Sequence, residues 1–408
     1  MSDALGLEID PLHVVVAGSD TLAPSMAGAI RFGASVSVSG RYALQGRQVL
    51  AGLRAWVQAV NGGEGLRVHG AGARAPVRLV YYDDASSPAK AAANAERLLD
   101  ADAVEVLIGP YASDLTRAML PVAGRRGRVL WNHGGASDDI HMGAGRAVGI
   151  LTPVSRYFGG LIKLARSLDP DATRVALLHR RGSGFGRMAA LGVRAVASDA
   201  MFVTDVITYS SLGSDLPSVM ASLERQSPDL VISAGSFDDE VVLARALLGS
   251  GLRPKAVGLA AAAMQEFPQA LGTYAEGFFG PSQWEPRLAY LPDFGPGATE
   301  ATEGIRAQGA PPDYPAAQAY AACLIAQRCL EEAGADDESL WRAACALDCG
   351  TFFGRFHIDP ATGLQVGHEM VLVQWRRGRK LVVWPPPVSM ARPLYPRPQW
   401  TGASGSGN

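Results

Sequence analysis

The chain is poor in lysine and cysteine and has no long apolar run. Four of its 408 residues are lysine (Lys90, Lys163, Lys255 and Lys380), and none follows a glycine. The Gly-Lys-Ser/Thr cradle of a phosphate-binding loop is therefore absent. Four cysteines, Cys323, Cys329, Cys345 and Cys349, are too few for a disulfide scaffold, and their spacing fits no zinc motif. They read as helix-packing residues with at most one bridge. No stretch approaches the roughly 18–20 consecutive apolar residues of a membrane-spanning helix. Net charge is nearly absent too: 37 Lys+Arg against 39 Asp+Glu leaves −2, with pI ≈ 6.4. That balance offers no basic footprint for nucleic acid or an anionic membrane. The N-terminal segment has no basic start and only a short apolar stretch over 12–18, so an intact secretory signal is not expected there. No G-x-S-x-G elbow occurs, and His368-Glu369 begins a metalloprotease pattern that Leu372 breaks.

What is present is the pattern of a globular α/β protein. Hydrophobic residues make up 48% and charged residues 19%, and at ~150 residues per domain the length predicts two or three domains. Short apolar or β-branched runs predict strands at Val77–Tyr82, Val104–Ile108, Val129–Asn132, Arg174–His179, Phe202–Thr208, Leu230–Ala234 and Ala256–Leu259. Helical periodicity between them predicts helices at Tyr42–Asn61, Pro88–Asp100, Ser113–Arg125, Arg156–Leu168, Gly186–Ser198, Leu216–Gln226, Asp238–Leu248 and Pro315–Ala333. This alternation means parallel sheets, in two βαβ series of about 32–149 and 151–280. Glu369–Trp375 and Lys380–Val383 read as an antiparallel hairpin across Arg-Arg-Gly-Arg. Residues 1–30 read as a leader, and 387–408, rich in Pro, Gly and Ser, as a disordered tail.

Two enzyme-like features have simpler readings. Gly182-Ser183-Gly184-Phe185-Gly186 follows a strand, and Asp205 lies where a ribose-binding acid would, but the third glycine is misplaced for G-x-G-x-x-G. A Gly-rich turn needs no cofactor to explain it. His133 and His141 lie eight residues apart and could converge on a metal, but a solvated loop after a strand is the favoured reading. The loops that hold Ser113, Ala136–Ser137, Phe185 and Ser236–Phe237 all follow predicted strands, where doubly wound sheets bind small ligands. Hydroxyls and free N–H groups there suit an anion such as a carboxylate.

In order, these residues resemble the type I periplasmic binding proteins of the leucine/isoleucine/valine group. The resemblance rests on Val38-Ser39-Gly40-Arg41-Tyr42-Ala43-Leu44-Gln45-Gly46, on Tyr82-Asp83-Asp84 followed by Ser87-Pro88, and on Val106–Thr116. Phe185-Gly186, Tyr274-Ala275-Glu276-Gly277 and Gly367-His368 through Trp384-Pro385 extend it over roughly 31–386. It implies two doubly wound α/β lobes joined by three crossovers, placed near Gly149–Pro153, Phe279–Gln283 and Gly354–Ile358. Lobe one is then 31–150 plus 282–354, and lobe two 151–281 plus 356–386. The ligand would lie between the lobes, and the partner would be the membrane permease of an ABC importer. The expected location is the periplasm, with no catalytic residue, cofactor or metal.

Residue by residue, the family's carboxylate-binding serine falls on Ser113, beside Tyr111. Its second anion loop falls on Gly134–Ser137, where Ala136 replaces a common hydroxyl and shifts the contact to backbone N–H or to Ser137. The first-loop aromatic falls on Gln45, with Tyr42 nearby; lobe two offers Phe185 and either Ser236 or Phe237. Where amino-acid binders hold an acid against the ligand's ammonium, this chain has Ala260–Ala263. An ammonium buried without its acid is costly, so a small carboxylate or amide is expected over a free amino acid. Two other readings stay open: a cytoplasmic amide or small-molecule sensor on the same fold, and a dinucleotide-dependent enzyme.

Overall fold

The structure is a computed structural model that describes residues 28–143 and 145–398. The first half runs through β1 (Ile30–Val36), α1 (Ala43–Gly62), the ribbon β2 (Leu66–Arg67) and β3 (Arg74–Ala75), β4 (Val77–Asp83) and α2 (Pro88–Asp100). It continues with β5 (Val106–Ile108), α3 (Ser113–Arg125), β6 (Val129–Asn132) and β7 (Arg146–Gly149). Five strands form one parallel sheet in the order β4-β1-β5-β6-β7. The strand order reverses between β1 and β5, and the loops leaving their carboxyl ends open onto that switch point.

The second half repeats the scheme with α4 (Gly159–Leu168), β8 (Arg174–Arg180), α5 (Gly184–Asp199), β9 (Val203–Tyr209), α6 (Leu212–Gln226) and β10 (Leu230–Ser233). Then come α7 (Phe237–Gly249), β11 (Ala256–Leu259), α8 (Glu266–Leu271) and β12 (Phe278–Ser282). The chain returns to the first lobe through α9 (Ala298–Ala307), α10 (Tyr314–Ala333), α11 (Asp337–Ala346) and the ribbon β13 (Cys349–Thr351) and β14 (Gly354–Phe356). It ends in lobe two as the hairpin β15 (Val371–Arg376) and β16 (Arg379–Trp384), which turns through Arg377 and Gly378, both at positive φ. The second sheet has the order β16-β15-β12-β11-β10-β8-β9, antiparallel only at its hairpin edge. Its switch point lies between β8 and β10. The molecule is thus two doubly wound lobes joined by three crossovers.

Local chemistry explains the best-predicted elements. Pro88 opens α2, and Ser87 caps it by accepting from the Lys90 N–H at 3.5 Å. Strand β1 begins inside the segment read as leader and was not expected, because Arg31 and Gly33 interrupt its apolar run. Arg31 is accommodated by a bidentate pairing with Glu105, at 2.7 Å and 3.1 Å. Glycine-bearing, largely polar α9 and short α11 also escape periodicity. α10 lies against α1 so closely that a Cβ on Gly52 would overlap the Ala316 carbonyl.

Several expected boundaries shift. β12 stays in the second sheet through Ser282, so the second crossover starts at Gln283. Residues 357–366 still lie on lobe one, where the Gly149 N–H donates to the Gly363 carbonyl at 2.9 Å, so the third crossing comes near His368 rather than at 354–358. Residues 387–398, expected to be disordered, are seated on lobe two: the Met390 N–H donates to Val382 and the Arg397 N–H to Lys255. The rest of the tail and residues 1–27 lie outside the described residues. All four cysteines are free, three of them buried.

Candidate ligand-binding cleft

The lobe-one loops are built around two close approaches. After β5 the chain passes Gly109-Pro110-Tyr111 to Ala112, which has φ +83 and ψ 144 just before α3. That conformation is rare for a residue with a Cβ. It is held by the Ala112 N–H donating to the Gly134 carbonyl at 3.1 Å and by the parallel bridge of Tyr111 with Gly134. A side chain on Gly134 would overlap the Pro110 carbonyl, so only glycine lets the loops after β5 and β6 touch. Their contact places the buried Ser113 hydroxyl 3.0 Å from the Ser137 N–H, from which it accepts. A hydroxyl has one donor and two lone pairs, so Ser113 keeps a proton to donate at the amino end of α3. Ser137 is otherwise committed: its hydroxyl donates to Asp139 at 2.6 Å. The Ala136 carbonyl accepts from the Val154 N–H of lobe two at 2.7 Å.

Aromatic groups wall this corner. The rings of Tyr42 and Tyr111 meet edge-on at 5.9 Å, and the Tyr111 and Tyr314 hydroxyls lie 3.4 Å apart. From lobe two, Phe185 packs edge-on against Tyr157 at 5.7 Å, and the Tyr157 hydroxyl accepts from Gln283 at 3.0 Å. Burial pushes the Tyr111, Tyr157 and Tyr314 phenols up, so all three stay neutral hydroxyls. Gln45 is buried at the seam and donates to Met264 Sδ of lobe two at 3.5 Å. Tyr157, Gln283, Tyr314 and Met264 were not singled out from the sequence, because nothing local marks them.

Two expected members are not turned to a ligand. Ser236 is exposed and caps α7, accepting from the Asp239 N–H and donating to the Asp239 carboxylate at 3.0 Å. Phe237 packs against lobe two's own core. The other motifs resolve as structure as well. Ser183 caps α5 by accepting from the Gly186 N–H, and Asp205 pairs with Arg174, so the dinucleotide reading loses its ribose acid. The loop from Asn132 to Ile140 is largely buried, not solvated; the His141 imidazole faces Asn132 and the Thr362 carbonyl. Among the described residues no group of three His, Cys, Asp or Glu could hold a metal ion.

The alanine run Ala260–Ala263 is served by an acid from α7. Glu240 is fully buried and accepts from the Gly235 N–H at 2.7 Å and the Ala261 N–H at 2.5 Å; burial pushes its carboxyl up to about 7. It ties two loops together. Asp138 of lobe one accepts from the Ser155 hydroxyl of lobe two at 2.6 Å. Burial pushes the Asp139 carboxyl up, but the Ser137 hydroxyl and the guanidinium groups of Arg117 and Arg187 outweigh it and hold it below its ordinary value. Arg187 reaches Asp139 from lobe two. These contacts describe a closed pair of lobes.

Solved structures share this architecture. A leucine-binding protein from Thermotoga maritima is 18% identical, with a TM-score of 0.74 over 87% of this chain and 97% of that one. A branched-chain amino-acid substrate-binding protein from Streptococcus pneumoniae, in complex with isoleucine, is 19% identical, with a TM-score of 0.72 over 88% and 100%. A solute-binding protein from Rhodopseudomonas palustris, in complex with p-hydroxybenzoic acid, is 18% identical, with a TM-score of 0.73 over 92% and 100%. At these identities the likeness shows the fold. The sequence profile of the periplasmic binding proteins matches residues 29–380. The chain therefore belongs to the periplasmic binding protein family, whose members are non-enzymatic solute-binding proteins of ABC transporters.

Proposed function

We propose that this protein delivers a small carboxylate with an apolar or aromatic body to an ABC permease, binding it between the lobes outside the cytoplasmic membrane. The observation that carries the reading is Ser113: a buried hydroxyl at the amino end of α3, already accepting from Ser137 and left with a proton to donate. Neutral phenols and the Phe185 ring supply a wall that suits an apolar body. The family's place is the periplasm or cell exterior, and no described helix is long and apolar enough to cross a membrane. Structural relatives include complexes with isoleucine and with p-hydroxybenzoic acid, so both ligand classes fit the fold.

The absence of an acid within Ala260–Ala263 favours a ligand without an ammonium group. Glu240 is consumed by backbone N–H groups, and Asp239 by the cap of α7. Glu266 reaches across to lobe one but accepts from Gln48 at 3.1 Å. A competition series by calorimetry at neutral pH tests this, comparing benzoate, 4-hydroxybenzoate and 4-methyl-2-oxopentanoate with leucine, isoleucine and valine. The acids without an ammonium group are expected to bind more tightly. Micromolar leucine binding that disappears when its amino group is masked overturns the ligand class and points to Glu266 as the missing acid.

A further inference from the structure

Lys380 lies on β16 of lobe two with its side chain only 4% exposed. Its ammonium donates to Asp313 Oδ1 at 2.5 Å and to the Ala263 carbonyl at 2.7 Å, and it pairs with Glu285 Oε1 at 2.9 Å. Asp313, 1% exposed, belongs to lobe one, where it stands at the start of α10. Its second oxygen crosses the seam again and accepts from the Gln265 N–H at 3.0 Å. Glu285, 8% exposed, sits just inside the second crossover. One buried carboxylate of lobe one is therefore gripped by an ammonium and an N–H of lobe two. Beside it, Gln48 and Gln45 of α1 reach Glu266 and Met264 across the same seam.

A buried charge is tolerated where it is paired, and removing one partner strands the other. Parting the lobes takes Asp313 away from both of its lobe-two donors. A groove of about 630 Å³ between α8, α9 and β16, lined in part by Lys380 and Glu285, brings solvent to the edge of this cluster. Asp313, which does not line it, stays dry while the lobes are closed. The cluster flanks the aromatic wall of the cleft, since Asp313 adjoins Tyr314, whose hydroxyl meets that of Tyr111.

We propose that Lys380 and Asp313, with Glu285 beside them, form a latch in which the Lys380–Asp313 pair fastens the two lobes in the closed arrangement without help from a ligand. Small-angle scattering tests this on the full chain, stripped of co-purified solute by unfolding and refolding. The wild-type protein is expected to be compact without ligand. Asp313→Asn and Lys380→Met, checked for folding by circular dichroism, are expected to show a larger radius of gyration. Glu285→Gln keeps the pairing across the seam and is expected to stay compact. A second readout needs no variant: the Gln265 amide, whose acceptor is Asp313 across the seam, is expected to exchange slowly with solvent in the ligand-free protein. An expanded wild-type protein, a folded Asp313→Asn variant with the wild-type profile, or a freely exchanging Gln265 amide would each overturn the latch. None of these measurements involves a ligand, so they succeed or fail separately from the ligand class.

Discussion

Ser113 holds two positions in one hydrogen-bond network. As an acceptor it pins the Ser137 N–H, and as a donor it has a proton left at the amino end of a helix. Its replacement by alanine is expected to weaken carboxylate binding by roughly 1–3 kcal/mol, the range for a hydrogen bond to a charged group. Calorimetry with the tightest member of the competition series reads this directly, and an unchanged affinity removes Ser113 from the site. The Ala136 carbonyl is engaged by the Val154 N–H of lobe two.

At the scale of elements, α7 and its neighbouring loops show how a missing acid and a misplaced one are the same story. The first turn of α7 carries Asp238, Asp239 and Glu240. The dipole at the amino end of a helix favours acids there. Asp239 closes the cap, and Glu240 turns inward to hold the loops after β10 and β11. Burial raises its carboxyl from an ordinary 4.5 to about 7. A raised acid destabilises the folded state as pH rises through that interval, because the charge must then form in a dry site. Wild-type stability is expected to fall between about pH 4.5 and 7 by up to ~3 kcal/mol from this group. Glu240→Gln should flatten that part of the slope in thermal melts. Glu285, Glu266, Asp84 and Asp337 are also pushed up by burial and contribute in the same direction, so some slope remains in the variant. Superimposable pH profiles for the variant and the wild type would show that Glu240 does not titrate in this range.

For the whole molecule, the three crossovers are joined by one polar knot. Gln283 of the second accepts from the Thr152 N–H of the first at 3.1 Å and donates back to its carbonyl at 3.0 Å. His368 of the third has Nδ1 2.6 Å from the Thr152 hydroxyl and Nε2 3.0 Å from the Phe353 carbonyl. The carbonyl partner assigns the ring proton to Nε2. Burial pushes this histidine down from 6.5 to about 4, so it is neutral at ordinary pH. A depressed histidine contributes stability above pH 6.5 that is lost as pH falls through about 4. Acid melts are expected to show the wild type losing stability relative to His368→Gln across that window. Parallel curves would mean that the knot does not depend on the charge of His368. The knot holds the pivot, while the Lys380 cluster and the Asp138–Ser155 bond hold the lobes across the seam.

The order of the elements was legible in the sequence because it is written at short range. Val129–Asn132 and Ala256–Leu259 are apolar runs between breakers, and α2 carries its own start chemistry, so period and punctuation alone place them. Ser113 and the Gly134–Ser137 loop were legible for a related reason, since both follow strands and topology puts strand ends on one edge. Tertiary structure decided which groups meet across the seam. Gln45 faces Met264, 219 residues away, and Lys380 faces Asp313, 67 residues away. Neither pair shares a helix face or a strand register, so no periodicity connects them. The same holds for Ser236, where a hydroxyl after a strand reads equally as a ligand donor or a helix cap. Only the position of the Asp239 N–H settles that it is a cap. Short-range patterning selects an element's type, but a side chain's partner is chosen by the packing of elements folded far apart in sequence.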